Sequence, residues 1–163
     1  MAAAKAGHCD QALPIAQDLG SAVPDLVFTR DGLEPILQSA RTEYLLGTVY
    51  SACDKSAEAK AKYQAAAAGS APDQIRWAWL AAKQLPGFDE AQWQARLQTA
   101  FDQAASRSDT SSFPSYWNYT TGSLAKELGK ADEVSARFRN ALLLPDRMQR
   151  GDLKNLRLRI ARI

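Results

Sequence analysis

The chain repeats itself at a fixed interval, and that interval constrains its fold more than any other feature. Leu46, Gly47, Ala59, Tyr63 and Ala66 are answered 34 residues later by Leu80, Ala81, Trp93, Leu97 and Ala100. A third set, Gly122, Val134, Phe138 and Ala141, keeps the same internal spacings. The step from Ala100 to Ala141 is 41, so seven residues are extra, and the polar stretch Ser106 to Ser112 reads as a loop insertion that absorbs them. A unit of this length that cannot hide its apolar face alone has to stack on its neighbours.

The unit is helical. Thirty alanines and eighteen leucines stand against nine valines and isoleucines together, which favours helix over strand. Ala59, Tyr63 and Ala66, and likewise Trp93, Leu97 and Ala100, step by 4 then 3 and so share one helix face. Glycine or alanine at Gly47, Ala81 and Gly122 marks where two helices cross closely. Pro24, Pro72 and Pro145 stand where second helices end. Ser56, Asp89 and Asp132 are placed to cap second helices.

With these residues in place the chain resembles the tetratricopeptide repeat family, whose 34-residue unit is a helix-turn-helix. The best copy reads Tyr44-Leu45-Leu46-Gly47-Thr48-Val49-Tyr50, then Ala59, Tyr63, Ala66 and Pro72. The next keeps Trp77 and Leu80 with Ala81 for glycine and Gln84 for tyrosine, and the last keeps Gly122, Gly129, Phe138, Ala141 and Pro145. At the N-terminus, Gly7 to Ala12 with Ala16, Leu19 and Pro24 resembles a turn and second helix whose first helix is missing, as if the chain began inside a repeat. The resemblance implies an all-α, right-handed superhelix in a single domain: a partial repeat at 1–24, a linker and helix extension at 25–39 entered at Gly32 to Pro35, repeats at 40–73, 74–107 and 115–146 with the insertion at 108–114, and a capping helix at 147–163. In the last segment Leu153, Leu156, Ile160 and Ile163 form one apolar stripe beside cations, suited to closing the open end of an array.

First helices of such arrays line a concave groove. By position the groove would show Arg41, Tyr44, Thr48 and Ser51, then Ile75, Ala78, Ala82 and Leu85, then Tyr116, Tyr119, Ser123 and Lys126. Tyr44 and Tyr119 are either ligand contacts, offering a large ring and a hydroxyl, or framework aromatics. Family members that grip a terminal carboxylate line the groove with cations and asparagines; Arg41 and Lys126 alone do not predict that mode. Trp77 and Trp93 fall on core positions, Trp79 either fills a contact or is an anchor, and Phe113 to Tyr119 is an aromatic cluster expected to pack beneath the loop.

The remaining chemistry is sparse. His8 is the one histidine, and with Cys9 and Cys53 it gives too few ligands for structural zinc. The two cysteines could pair in an oxidising compartment, but the sparse pattern favours two inert thiols. No nucleophile with its base, no carboxylate pair and no phosphate loop appears, so the sequence predicts no catalysis, metal or cofactor. A net charge of +2 and the absence of a long apolar run predict neither a nucleic-acid partner nor a membrane span, and the first residues do not read as a secretory signal. The expectation is a module that binds a protein or peptide segment in its groove. The alternative is a structural or accessory domain, or a spacer that self-associates.

Overall fold

The computed structural model describes residues 1–21 and 39–143, and every regular element among them is an α-helix. There are eight: α1 (Ala2–Lys5), α2 (Cys9–Ser21), α3 (Ala40–Ala52), α4 (Ser56–Ala67), α5 (Ile75–Ala82), α6 (Glu90–Thr110), α7 (Pro114–Glu127) and α8 (Ala131–Leu143). The chain divides into two compact units, Met1–Trp93 and Gln94–Ile163, with the division inside α6. The linker at 25–38, the helix expected from Gly32 to Pro35, Pro24, Pro145 and the capping segment at 147–163 lie outside the described residues.

Three of the helix pairs turn in the same way. α1–α2, α3–α4 and α7–α8 each end the first helix with a residue of positive φ, namely Gly7 at 84°, Asp54 at 58° and Gly129 at 70°. The next amide then returns to the last turn: His8 N–H to the Ala3 carbonyl at 2.9 Å, Lys55 to Tyr50 at 2.9 Å and Lys130 to Ala125 at 2.9 Å. A left-handed residue with this six-to-one bond satisfies carbonyls that the helix end would otherwise leave open. Two of the three positions hold glycine, the residue that adopts this backbone without steric cost. Residues 1–6, expected to hold no first helix, fold into the single turn of α1.

In the first unit α3 and α4 pack face to face. Gly47 lies flat under the Tyr63 ring, so closely that a β-carbon there would come within 2.7 Å of it. Leu46, Val49, Tyr50, Ala59 and Ala66 complete the core of the pair. Glu43 is buried beside Lys62: Nζ donates to Oε1 at 3.3 Å and stands 3.0 Å from Oε2, at an angle that makes the latter an ion pair without a hydrogen bond. α3 begins at Ala40 because Ser39, in extended conformation, accepts the Thr42 amide at 3.2 Å. A helix extension running through 39 is therefore interrupted there. Ser56, expected as a cap, is instead the first helical residue of α4, behind Lys55, which makes no side-chain cap.

The α1–α2 hairpin adds little apolar weight to this core. It buries Ala4, Ala12 and Ala16, with Ala3, Cys9 and Leu13 partly covered, while Ile15 and Leu19 remain 63% and 48% exposed. A disulfide between Cys9, the first residue of α2, and Cys53, which closes α3, ties the hairpin down. The reading of the cysteines as inert thiols is thus corrected: the fold brings together two residues 44 positions apart, which spacing alone cannot disclose.

In the second unit α7 and α8 repeat the close crossing, with the Gly122 β-carbon position 3.0 Å from the Phe138 ring and 3.2 Å from Arg137. Ser115 Oγ donates to the Ala141 carbonyl at 2.7 Å and pins the far end of the pair. The residues expected as a loop at 108–114 are mostly helix. α6 runs to Thr110, and its buried row Leu97, Ala100, Phe101, Ala104 and Ser108 continues into the polar stretch. Hydroxyls explain why serines are tolerated there. Ser108 Oγ donates to Ala104 O at 3.0 Å and lies 3.3 Å from Thr121 Oγ1, and Thr110 returns to Ser106 O at 3.0 Å. α6 has 21 residues against 12 in α4, so added helical turns absorb the insertion and keep the buried face in phase.

Candidate functional site

The expected groove residues separate by unit. In the first, Arg41 and Ser51 are exposed and Tyr44 and Thr48 half-buried on α3. Tyr44 is held between two rings, 6.0 Å from Tyr63 and 5.7 Å from Trp77, both tilted by 44°. Guanidinium groups stand over Trp77, Arg76 at 4.9 Å and Arg41 at 5.5 Å from its centroid. This is a cation–aromatic cluster on the surface of α3 and α5, with each such contact contributing about 0.5–1 kcal/mol where exposed. Thr48 spends its hydroxyl on the Tyr44 carbonyl at 3.0 Å.

On α5 the expectation fails. Ile75, Ala78 and Ala82 are 4%, 0% and 6% exposed, so they cannot line an open surface, and Leu85 beyond the helix end is half-buried. The spacing correctly identifies one stripe but does not say which side it faces. α5 is only eight residues long and packs on both α4 and α3, so its apolar stripe turns inward and Arg76, Trp77 and Lys83 are left outside. Burial of the tryptophans is also redistributed. Trp79 and Trp93 are 6% exposed, whereas Trp77, expected in the core, is half-buried. Trp79 Nε1 is buried without a hydrogen-bond partner, and the Lys83 ammonium sits 4.2 Å from its ring centroid.

In the second unit the α7 stripe does face outward. Tyr116 and Tyr119 are 46% and 58% exposed, Lys126 is exposed and Ser123 half-buried. Tyr119 leans on Phe138 at 5.8 Å, and Tyr116 meets Trp117 edge-on at 5.2 Å. The Arg107 guanidinium stands 4.6 Å from the centroid of the Trp117 ring. Phe113, expected beneath the loop, is itself exposed. Ser123 donates to the Tyr119 carbonyl at 2.9 Å, and Thr120 and Thr121 likewise bond the preceding turn, so these three hydroxyls are turned back onto the helix.

Sequence reasoning missed an apolar cavity of about 350 Å³ in the first unit. Ile15, Leu19, Ala16, Leu45, Leu46 and Val49 are among its lining residues, and Thr42 supplies its one hydroxyl. The step of four from Ile15 to Leu19 was the available signal, masked by the shorter alanine row of the same helix. His8 is exposed in the turn before α2, and its neighbour Cys9 is spent in the disulfide. Asp89 caps α6 by accepting the Gln92 amide at 3.1 Å, and Glu133 pairs with Arg137 at 2.9 Å. Among the described residues no three metal-ligating side chains converge, and no helix is long and apolar enough to cross a membrane.

No family model, curated protein or solved structure matches this chain.

Proposed function

We propose that this protein is a non-catalytic interaction module of tetratricopeptide type, a right-handed superhelix of helix pairs that binds a peptide or protein segment in a concave groove lined by its first helices. The observation that carries the reading is the α7 stripe, where Tyr116 and Tyr119 stay largely exposed on the very face a groove would use. Exposed tyrosines held by neighbouring rings offer contact area with little rotamer entropy to lose. The shared turns at Gly7, Asp54 and Gly129 and the matching crossings of Gly47 on Tyr63 and Gly122 on Phe138 support the repeat architecture. The Arg41–Tyr44–Trp77–Arg76 cluster would add a second contact surface on the first unit.

The burial of Ile75, Ala78 and Ala82 favours the structural alternative for the middle of the chain, since the stripe of α5 expected to line the groove is spent on packing. Selection of a binding peptide from a displayed random library, followed by titration against Tyr116→Ala and Tyr119→Ala, separates the readings. The interaction module predicts at least a tenfold weaker Kd in each folded variant, as expected for an aromatic contact of about 1.4 kcal/mol. Binding indifferent to both substitutions would leave the structural role in its place.

A further inference from the structure

The Cys9–Cys53 bond stands where it can do more than add stability. It joins the turn of the α1–α2 hairpin to the closing residue of α3, and it is the only covalent tie between them apart from the chain through residues 22–38. The two sides of the bond are unequal. Among the described residues the hairpin meets the core through three buried alanines and the half-covered Ala3, Cys9 and Leu13, beside a cavity of about 350 Å³, with Ile15 and Leu19 exposed. At its far end a β-carbon added at Gly20 would stand in ordinary contact with the tip of Lys62 at 3.5 Å and Leu46 at 3.8 Å, with no close crossing like that at Gly47. By contrast, α3 and α4 are joined to each other by the Gly47–Tyr63 crossing and the Glu43–Lys62 pair, neither of which involves the hairpin.

We propose that this disulfide is a redox-operated staple: oxidised, it keeps α1–α2 docked on α3, and reduced, it releases the hairpin while α3 and α4 stay folded. Access fits the role. Cys9 is partly exposed, beside the exposed His8, whereas Cys53 is buried, so an incoming thiolate meets the Cys9 sulfur first. A dithiol reductant attacks there, forms a mixed disulfide and expels the Cys53 thiolate. Its second thiolate then frees Cys9, leaving the reductant as a disulfide and the protein with two thiols, a transfer of two electrons and two protons. Release uncovers the side of α3 that carries Leu46 and Val49.

Hydrogen exchange by mass spectrometry on the full chain tests the proposal, comparing the oxidised protein, the same protein in excess dithiothreitol, and Cys9→Ser, which breaks the bond at its more exposed end. In the reduced and Cys9→Ser proteins, amides of residues 2–21 should exchange within about tenfold of an unstructured peptide, while those of α3 and α4 stay at least a hundredfold protected. Re-oxidation should restore residues 2–21. The proposal is overturned if the hairpin remains as protected as α3 after reduction. It is equally overturned if α3 and α4 lose protection together with the hairpin, or if thiol titration of the protein under oxidising conditions finds both cysteines free.

Discussion

Gly47 and Gly122 occupy the same place in two helix pairs, yet they are not equally constrained. At Gly47 a β-carbon would come within 2.7 Å of two atoms of the Tyr63 ring, and Tyr63 is buried, so the ring has nowhere to go. At Gly122 the nearest approach is 3.0 Å to Phe138, which is half-buried and can give by a few tenths of an ångström. Overpacking of this kind costs about 1–3 kcal/mol. Gly47→Ala should therefore lose about 2–3 kcal/mol in urea unfolding and Gly122→Ala about 1 kcal/mol; equal losses would mean that burial of the opposing ring does not decide the cost. The small residue and its aromatic partner were both legible from the repeated spacing of 16 residues. The difference between them was not, because it depends on what covers the ring.

At the scale of the element, the helical character of the chain and the pairing of α3 with α4 and α7 with α8 could be read from periodicity. The faces of α5 and the length of α6 could not. The stripe Ile75, Ala78, Ala82 has the same spacing whether it faces a groove or a core, and only the neighbouring helices decide. Ser106 to Ser112 has the composition of a loop, but the row Ala100, Ala104, Ser108 carries the buried face into it at helical spacing. Four-residue returns of serine and threonine hydroxyls make these residues acceptable in the helix. Ser106 is exposed, so a proline there tests the backbone alone. In a loop Ser106→Pro would be neutral or slightly stabilising; in the interior of α6 it should cost about 3 kcal/mol or more through the lost bond and the ring clash. Thermal unfolding followed by far-ultraviolet circular dichroism decides between them.

At the scale of the whole molecule, a continuous 34-residue register gave no sign that the chain divides into two compact units or that one of them is covalently closed. Repeat spacing describes neighbours; it carries no information about a bond that spans 44 residues. That bond lies wholly within the first unit, Met1–Trp93, so its energetic effect belongs there. Closing a ring of this size removes freedom from the unfolded chain, an effect of about 2–4 kcal/mol. The tryptophans allow the units to be followed apart, since Trp77, Trp79 and Trp93 belong to the first and Trp117 to the second. In a Trp117→Phe protein, fluorescence therefore reports the first unit, and the amide signals of Gly122 and Gly129 in nitrogen-edited NMR report the second. Reduction should lower the urea midpoint seen by fluorescence by an amount equivalent to about 2–4 kcal/mol. The glycine signals of the α7–α8 pair should disappear at the same urea concentration with and without reductant, because no part of the closed ring runs through that pair. A common shift of both probes would mean that the two units unfold as one, and that the loop entropy withdrawn from residues 9–53 is felt by the whole chain.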